Sequence, residues 1–103
     1  MNFKEQLQKD REEAFEVWYQ RYKAREDLKK EFRISAAQGY TGYSIDCLEG
    51  YDSDVKRRKC SDEFLEHLKK DFPDLDIRRE TGTTGTFVNI PFNKIHFFWG
   101  ESE

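Results

Sequence analysis

The chain has 103 residues, of which 38% are charged and 36% hydrophobic, yet its formal net charge is only -3. This length predicts one domain with a small core, and an aromatic content of 16% argues against disorder. The mild charge excludes a broadly basic nucleic-acid binder and a strongly acidic mimic of DNA. The sequence contains neither an apolar run of about 18 residues nor a signal peptide, which predicts a cytoplasmic protein without a membrane partner.

The first third of the chain predicts one long charged helix, because residues 2–33 contain neither glycine nor proline. Gly39 is the expected stop. A helix of roughly 30 residues is about 45 Å long, which exceeds the width of so small a domain. We therefore expect part of it to project or to pack on another chain, including a second copy in a homodimer. The predicted organisation is a single domain, 1–103, with the helix in residues 1–38 and a small αβ core in residues 39–103.

The remaining two thirds predict short strands around a second helix. Alternation from Tyr43 to Leu48 is typical of a half-buried strand. Ser61 is a candidate N-cap for a helix that Pro73 terminates. Further strands are expected around Leu75–Ile77, at Thr86–Ile90 and at Ile95–Trp99. The expected turns are Gly82–Gly85 and Pro91–Asn93, the second of which is a turn or a bulge.

This order of elements predicts the α+β class. We expect a two-layer sandwich in which both helices cover one face of a small mixed sheet of three or four strands. The strand–helix–strand unit from Tyr43 to Arg79 favours a right-handed parallel crossover. The opposite face of the sheet is expected to be exposed and to carry His96 and Phe98.

The first helix carries the most informative cluster of side chains, four aromatic residues flanked by two arginines: Phe15, Trp18, Tyr19, Tyr22, Arg21 and Arg25. Aromatic residues at this spacing either form core or cover an interface, and both interpretations stay open. Tryptophan, tyrosine and arginine dominate the energetics of binding interfaces. These six residues are therefore the candidate protein-binding site.

The alternative site is basic. It combines the only single-sign run of the chain with two later arginines: Lys56, Arg57, Arg58, Lys59, Arg78 and Arg79. Such a patch could contact nucleic-acid phosphates, but the sequence favours a solvated loop whose charge balances the acidic stretch before it, since strong binders usually carry a basic excess over the whole domain. The segment Gly82–Gly85 matches the Gly-x-x-Gly loop of KH domains, but its flanks read as strands and favour a hairpin.

Catalytic and metal chemistry find weaker support. Four acids lie close together in the sequence: Asp46, Glu49, Asp52 and Asp54. Their spacing does not match a calcium loop. A metal-dependent nuclease built on Asp46, with Asp76 and Lys94, is the third functional hypothesis. The soft ligands Cys47, Cys60, His67 and His96 lack zinc-site spacing, so neither a metal nor a cofactor is predicted.

The overall plan resembles small accessory proteins of phages and prophages of Gram-positive bacteria. The resemblance covers the charged leading helix, the strand Tyr43–Asp46, the helix segment Phe64–Leu68 and the closing strand Ile95–Trp99. It implies no active site. Several such proteins block host machinery, as anti-CRISPR and other anti-defence proteins do.

We therefore predict a non-catalytic protein-binding module, with the character of a phage-encoded inhibitor of a host protein. A small nucleic-acid-binding protein is the alternative, and a metal-dependent nuclease is the third hypothesis.

Overall fold

The computed structural model describes residues 2–100. Its elements are α1 (Phe3–Glu26), α2 (Leu28–Ala37), β1 (Gly42–Asp46), α3 (Ser53–Lys59), α4 (Asp62–Asp71), β2 (Asp76–Thr84) and β3 (Ile90–Phe98). This is the predicted α+β class, with a long N-terminal helix followed by helices and a small open sheet. Within residues 2–100, no helix is long and apolar enough to cross a membrane.

The leading helix is interrupted at Asp27, which corrects the expectation of one continuous element. Asp27 adopts φ 26 and ψ 68, near the left-handed region that aspartate tolerates better than most residues. Its backbone N–H donates to the Lys23 carbonyl at 3.2 Å, and its Oδ1 accepts from the Lys30 N–H at 3.4 Å. One residue thus ends α1 and begins α2, and α2 then stops before Gly39, whose φ is 91.

Two compact units divide the chain, Met1–Lys30 and Glu31–Glu103. In the first unit, α1 begins at Asn2, whose side chain caps the Glu5 N–H at 2.8 Å. The second unit begins at Glu31, so it contains residues 31–37 of α2 together with the sheet.

The sheet has three strands in the order β1-β3-β2, and each neighbouring pair is antiparallel. Strands β1 and β2 therefore run in the same direction, as a crossover requires, but β3 lies between them. The mixed sheet expected from the sequence is thus an antiparallel one.

Strand β3 unites two segments that the sequence separates. Pro91 was expected in a turn, but it lies inside β3 opposite Thr83. Asn93 accepts a hydrogen bond from the Cys47 N–H at 2.8 Å, so its backbone groups face β1. Alternate residues of a strand point their backbone groups the same way. The nitrogen of Pro91 therefore also faces away from β2, and its missing N–H costs the β2–β3 ladder nothing. The true turn is Gly85–Asn89.

The core of the second unit is aromatic and lies on one face of the sheet. Phe32 of α2 is central to it, with ring centroids 4.8 Å from Phe97, 5.2 Å from Phe72 and 5.5 Å from Tyr43. Phe64 and Leu68 of α4 are fully buried. Helices α2 and α4 thus cover the same face, and four of the nine buried hydrophobic residues of this unit are phenylalanines.

Candidate interaction surfaces

The aromatic cluster of α1 is mostly buried. Phe15, Tyr19 and Tyr22 are buried, whereas Trp18 is half-buried. The rings form a continuous row, with Trp18 5.5 Å from Phe15 and 5.4 Å from Tyr22. Arg21 and Arg25 lie exposed beside the row. The accessible part of this predicted site therefore consists of Trp18, Arg21 and Arg25, and its role in binding stays a prediction.

The basic residues do not form one patch. The run from Lys56 to Lys59 is not a loop but the C-terminal end of α3. Positive side chains are stabilised at this end of a helix by the helix dipole. Arg57 lies 3.5 Å from the Asp54 carboxylate in an exposed pair. Arg78 and Arg79 are adjacent in β2 and therefore point to opposite faces of the sheet.

Arg79 is a structural residue. Its guanidinium donates to the carbonyl oxygens of Lys59 at 3.0 Å and Ser61 at 2.8 Å, and to Asn93 Oδ1 at 2.5 Å. These bonds tie the connection between α3 and α4 to the sheet. Its Nη1 also lies 3.8 Å from the Cys47 sulfur. Arg79 is thus committed to protein acceptors, and the basic site reduces to α3.

Two of the four acids of the candidate cation cluster, Asp46 and Asp52, serve the backbone. Asp46 accepts from the Leu48 N–H at 3.0 Å in a turn. Asp52 caps α3 by accepting from the N–H groups of Asp54 and Val55 at 2.9 and 3.2 Å. Asp54 pairs with Arg57. Among residues 2–100, no three His, Cys, Asp or Glu side chains converge as a metal site requires.

The residues of the nuclease hypothesis are not assembled either. Asp46 lies opposite Lys94, whereas Asp76 lies opposite Phe98 at the far end of the same face. The Asp76 carboxylate instead binds both Nε and Nη2 of Arg78, at 3.1 and 2.6 Å. This hydrogen bond, together with the charge of Asp76, raises the pKa of Arg78.

The two cysteines are free thiols of different accessibility. Cys47 is buried and Cys60 is half-buried. Burial raises the pKa of the Cys47 thiol, and the nearby Arg79 only partly opposes this effect. Cys47 is therefore a packed, weakly reactive side chain.

The face of the sheet opposite the helices is open and carries a polar chain across all three strands. Ser44 Oγ lies 2.7 Å from His96 Nδ1, and His96 Nε2 lies 3.1 Å from Glu80 Oε1. A carboxylate only accepts, so His96 Nε2 is the donor to Glu80, and in a neutral imidazole Nδ1 is then the acceptor for the Ser44 hydroxyl. Sequence reasoning placed His96 on this face but missed both partners, which only the strand register brings together.

This chain connects a hydroxyl, an imidazole and a carboxylate, as acyl-transfer enzymes do. Charges of both signs surround it on this face, where Asp46 and Glu80 lie beside Lys94 and Arg78. The chain joins all three strands through side-chain hydrogen bonds. Phe98 lies beside it, 6.1 Å from the His96 ring and 5.9 Å from the Arg78 guanidinium.

The second unit also has an open apolar pocket of about 210 Å³. Its lining residues are Phe32, Arg33, Ala36, Leu75 and Trp99. The Trp99 indole N–H donates to the Tyr40 carbonyl at 3.1 Å, which fixes the orientation of its ring.

The far half of the β2–β3 hairpin, residues 81–93, is exposed from Thr81 to Pro91, and we call it the arm. Pairing with β1 ends at Lys94, so the arm continues as a two-stranded ribbon. All thirteen of its residues are uncharged, in a chain that is 38% charged. Its tip carries Phe87, Val88 and Ile90, which are 98%, 68% and 54% exposed.

Two glycines shape the arm. Gly85 has φ 114, and a Cβ there would overlap the Val88 carbonyl oxygen. Only glycine fits this turn. Gly82 lies under the Phe92 ring, where a Cβ would come within 2.9 Å of the ring. The arm is thus built around a required turn and a ring stacked on backbone, yet its tip side chains have no cover.

Sequence reasoning missed the arm as a site. The signal in the sequence was the longest uncharged stretch of the chain, which includes Phe87 and Val88 next to Gly85.

No protein family matches this sequence, and no curated protein or solved structure shows significant similarity to it.

Proposed function

We propose that this protein is a non-catalytic binding module that inhibits a host protein, and that the tip of the arm is its contact surface. The observation that carries the proposal is the exposure of Phe87, Val88 and Ile90 on an uncharged, projecting hairpin. The resemblance to phage accessory proteins supports the inhibitor role and a cytoplasmic host protein as the partner.

A side chain held in water on a preformed turn loses little conformational freedom when a partner buries it. Fully burying one phenylalanine-sized side chain contributes roughly 1.5–3 kcal/mol. Phe87 and Val88 lie next to each other at the narrow end of the arm, so together they can fill a pocket in a partner. A projecting hairpin also reaches into a cleft, which is how a small protein can block a larger one.

The helix surface of Trp18, Arg21 and Arg25 is a second contact region under the same function. Its residue types are those that dominate interfaces, and both arginines are exposed.

The test is capture of partners from a bacterial lysate by the tagged chain, with nuclease present. We expect a stoichiometric protein that the double variant Phe87→Ser, Val88→Ser no longer captures. Tyr51→Ser is the matched control, because Tyr51 is equally exposed but lies outside the arm. Equal capture by the tip variant and the parent chain would overturn the assignment of the arm.

Nucleic-acid binding through α3 is the second candidate function. The observation in its favour is that Lys56, Arg57, Arg58 and Lys59 are consecutive and together form the last turn of α3. The affinity of the chain for nucleic acid should then fall steeply as the salt concentration rises, since contacts with phosphates release counterions. A gel shift that survives neutralisation of these four residues would exclude this site.

A further inference from the structure

We infer that the outer edge of β2 binds the same edge of a second copy of this chain, which joins two sheets into one continuous sheet. The sheet order places β2 at an edge. An edge strand carries backbone N–H and C=O groups that no neighbouring strand uses, and another strand can pair with them.

The register identifies the groups that face this edge. The Cys47 N–H donates to the Asn93 carbonyl, so the odd-numbered residues of β3 direct their backbone groups toward β1. The even-numbered residues of β3 therefore bond to β2, and their partners in β2 are also even-numbered. The N–H and C=O groups of Thr81 and Thr83 accordingly face outward.

The other edge of the arm is closed to pairing. Pro91 directs its nitrogen toward the side on which β1 has already ended, and a proline nitrogen cannot donate. Proline is a common device against unwanted strand addition. Strand β2 contains no proline from Asp76 to Thr84, so its edge lacks that protection.

The chemistry of the edge fits a second copy. In an antiparallel pair centred on Thr81, each Thr81 lies opposite its counterpart, Thr83 lies opposite Arg79, and Arg78 lies opposite Thr84. This register places no like charges opposite one another, and the Arg79 side chain is already held by acceptors within its own unit. The pair has twofold symmetry, so it forms a dimer and not a filament.

The test is the solution mass of the full chain by light scattering. We expect the dimer fraction to rise between about 10 μM and 1 mM, because a short ribbon gives weak affinity. Thr83→Pro removes an outward N–H that the hairpin does not use, so it should leave a monomer with an unchanged circular dichroism spectrum. Phe87→Ser should dimerise like the parent, which separates this inference from the proposed function.

A charge-swap experiment tests the register. Thr81→Lys and Thr81→Glu each place like charges on the twofold axis, so each variant alone should be monomeric. An equimolar mixture of the two should restore the dimer. A monomeric parent at 1 mM, a dimer that survives Thr83→Pro, or a mixture that stays monomeric would overturn the inference. A dimer formed through α1 would instead be lost in Val17→Ser, a substitution at an exposed position of that helix. Loss of the dimer in this variant would also overturn the inference.

Discussion

The same two strands pass through two different environments. From Asp76 to Glu80, and from Lys94 to Phe98, β2 and β3 belong to a three-stranded sheet whose inner face is covered by aromatic side chains. Beyond that point, the arm has neither a third strand nor a covering helix, and every residue from 81 to 91 is exposed. The comparison shows that hairpin pairing alone does not bury side chains, so the arm contributes surface while the sheet contributes stability.

The largest effect should come from the covered half. Phe97→Ala removes a fully buried ring that contacts Phe32 and Phe72, and we expect a loss of about 3–5 kcal/mol in the free energy of unfolding. Urea denaturation measures it. Phe87→Ala is the matched control in the arm and should leave stability unchanged. Similar losses in both variants would show that the arm is packed and would remove the contrast.

A second contrast lies within β2, between two adjacent arginines. Arg79→Ala leaves the Lys59 and Ser61 carbonyl oxygens without their donor, which should cost about 1–3 kcal/mol. Arg78→Ala removes an exposed pair with Asp76 and a contact of the guanidinium with the Phe98 ring at 5.9 Å, both on the open face, and should change stability little. Chemical denaturation of both variants decides the point, and equal effects would contradict the assignment of Arg79 as a tether.

A smaller effect is expected at the start of α3. Asp52→Ala removes the acceptor for two backbone N–H groups and should cost about 1 kcal/mol. Asp54→Ala, its neighbour inside the helix, should cost less, because its carboxylate makes only an exposed pair with Arg57. Thermal unfolding of the two variants provides the comparison, and a reversed order would exclude the capping role.

The smallest expected effect on stability comes from the ionisation of the Cys47 thiol. Its pKa is raised in the folded chain above the ordinary value of 9.0, so ionisation favours the unfolded state. Its contribution to stability is fully present below about pH 9 and is lost as the pH rises through the raised folded pKa. In a Cys60→Ala background, iodoacetamide should react with the remaining thiol at least about tenfold faster in urea than in buffer. Equal rates would mean that Cys47 is accessible in the native state.

Local chemistry predicted several elements correctly. The alternation at Tyr43–Leu48 yielded β1, Ser61 caps α4 by accepting from the Phe64 N–H at 3.3 Å, and Pro73 follows its end. These signals succeeded because caps, stops and alternation depend on neighbours in the sequence. The break at Asp27 was missed, since aspartate is also common inside charged helices.

The candidate sites were harder to predict, because they depend on which residues the register places side by side. The distance between Ser44 and His96 in the sequence gives no sign that their side chains touch. The patch proposed for Arg78 and Arg79 failed to assemble because alternation along β2 sends them to opposite faces.

The sequence by itself determined the α+β class, the Ser61 cap and the Pro73 end of α4, and the stop before Gly39, because these follow from short-range periodicity and from single residues. Only the tertiary structure decided that β3 lies between β1 and β2, that Arg79 serves the backbone, and that residues 81–93 extend beyond the sheet. The reason is that cover and exposure depend on where the third strand ends, and no local pattern in β2 or β3 records that position.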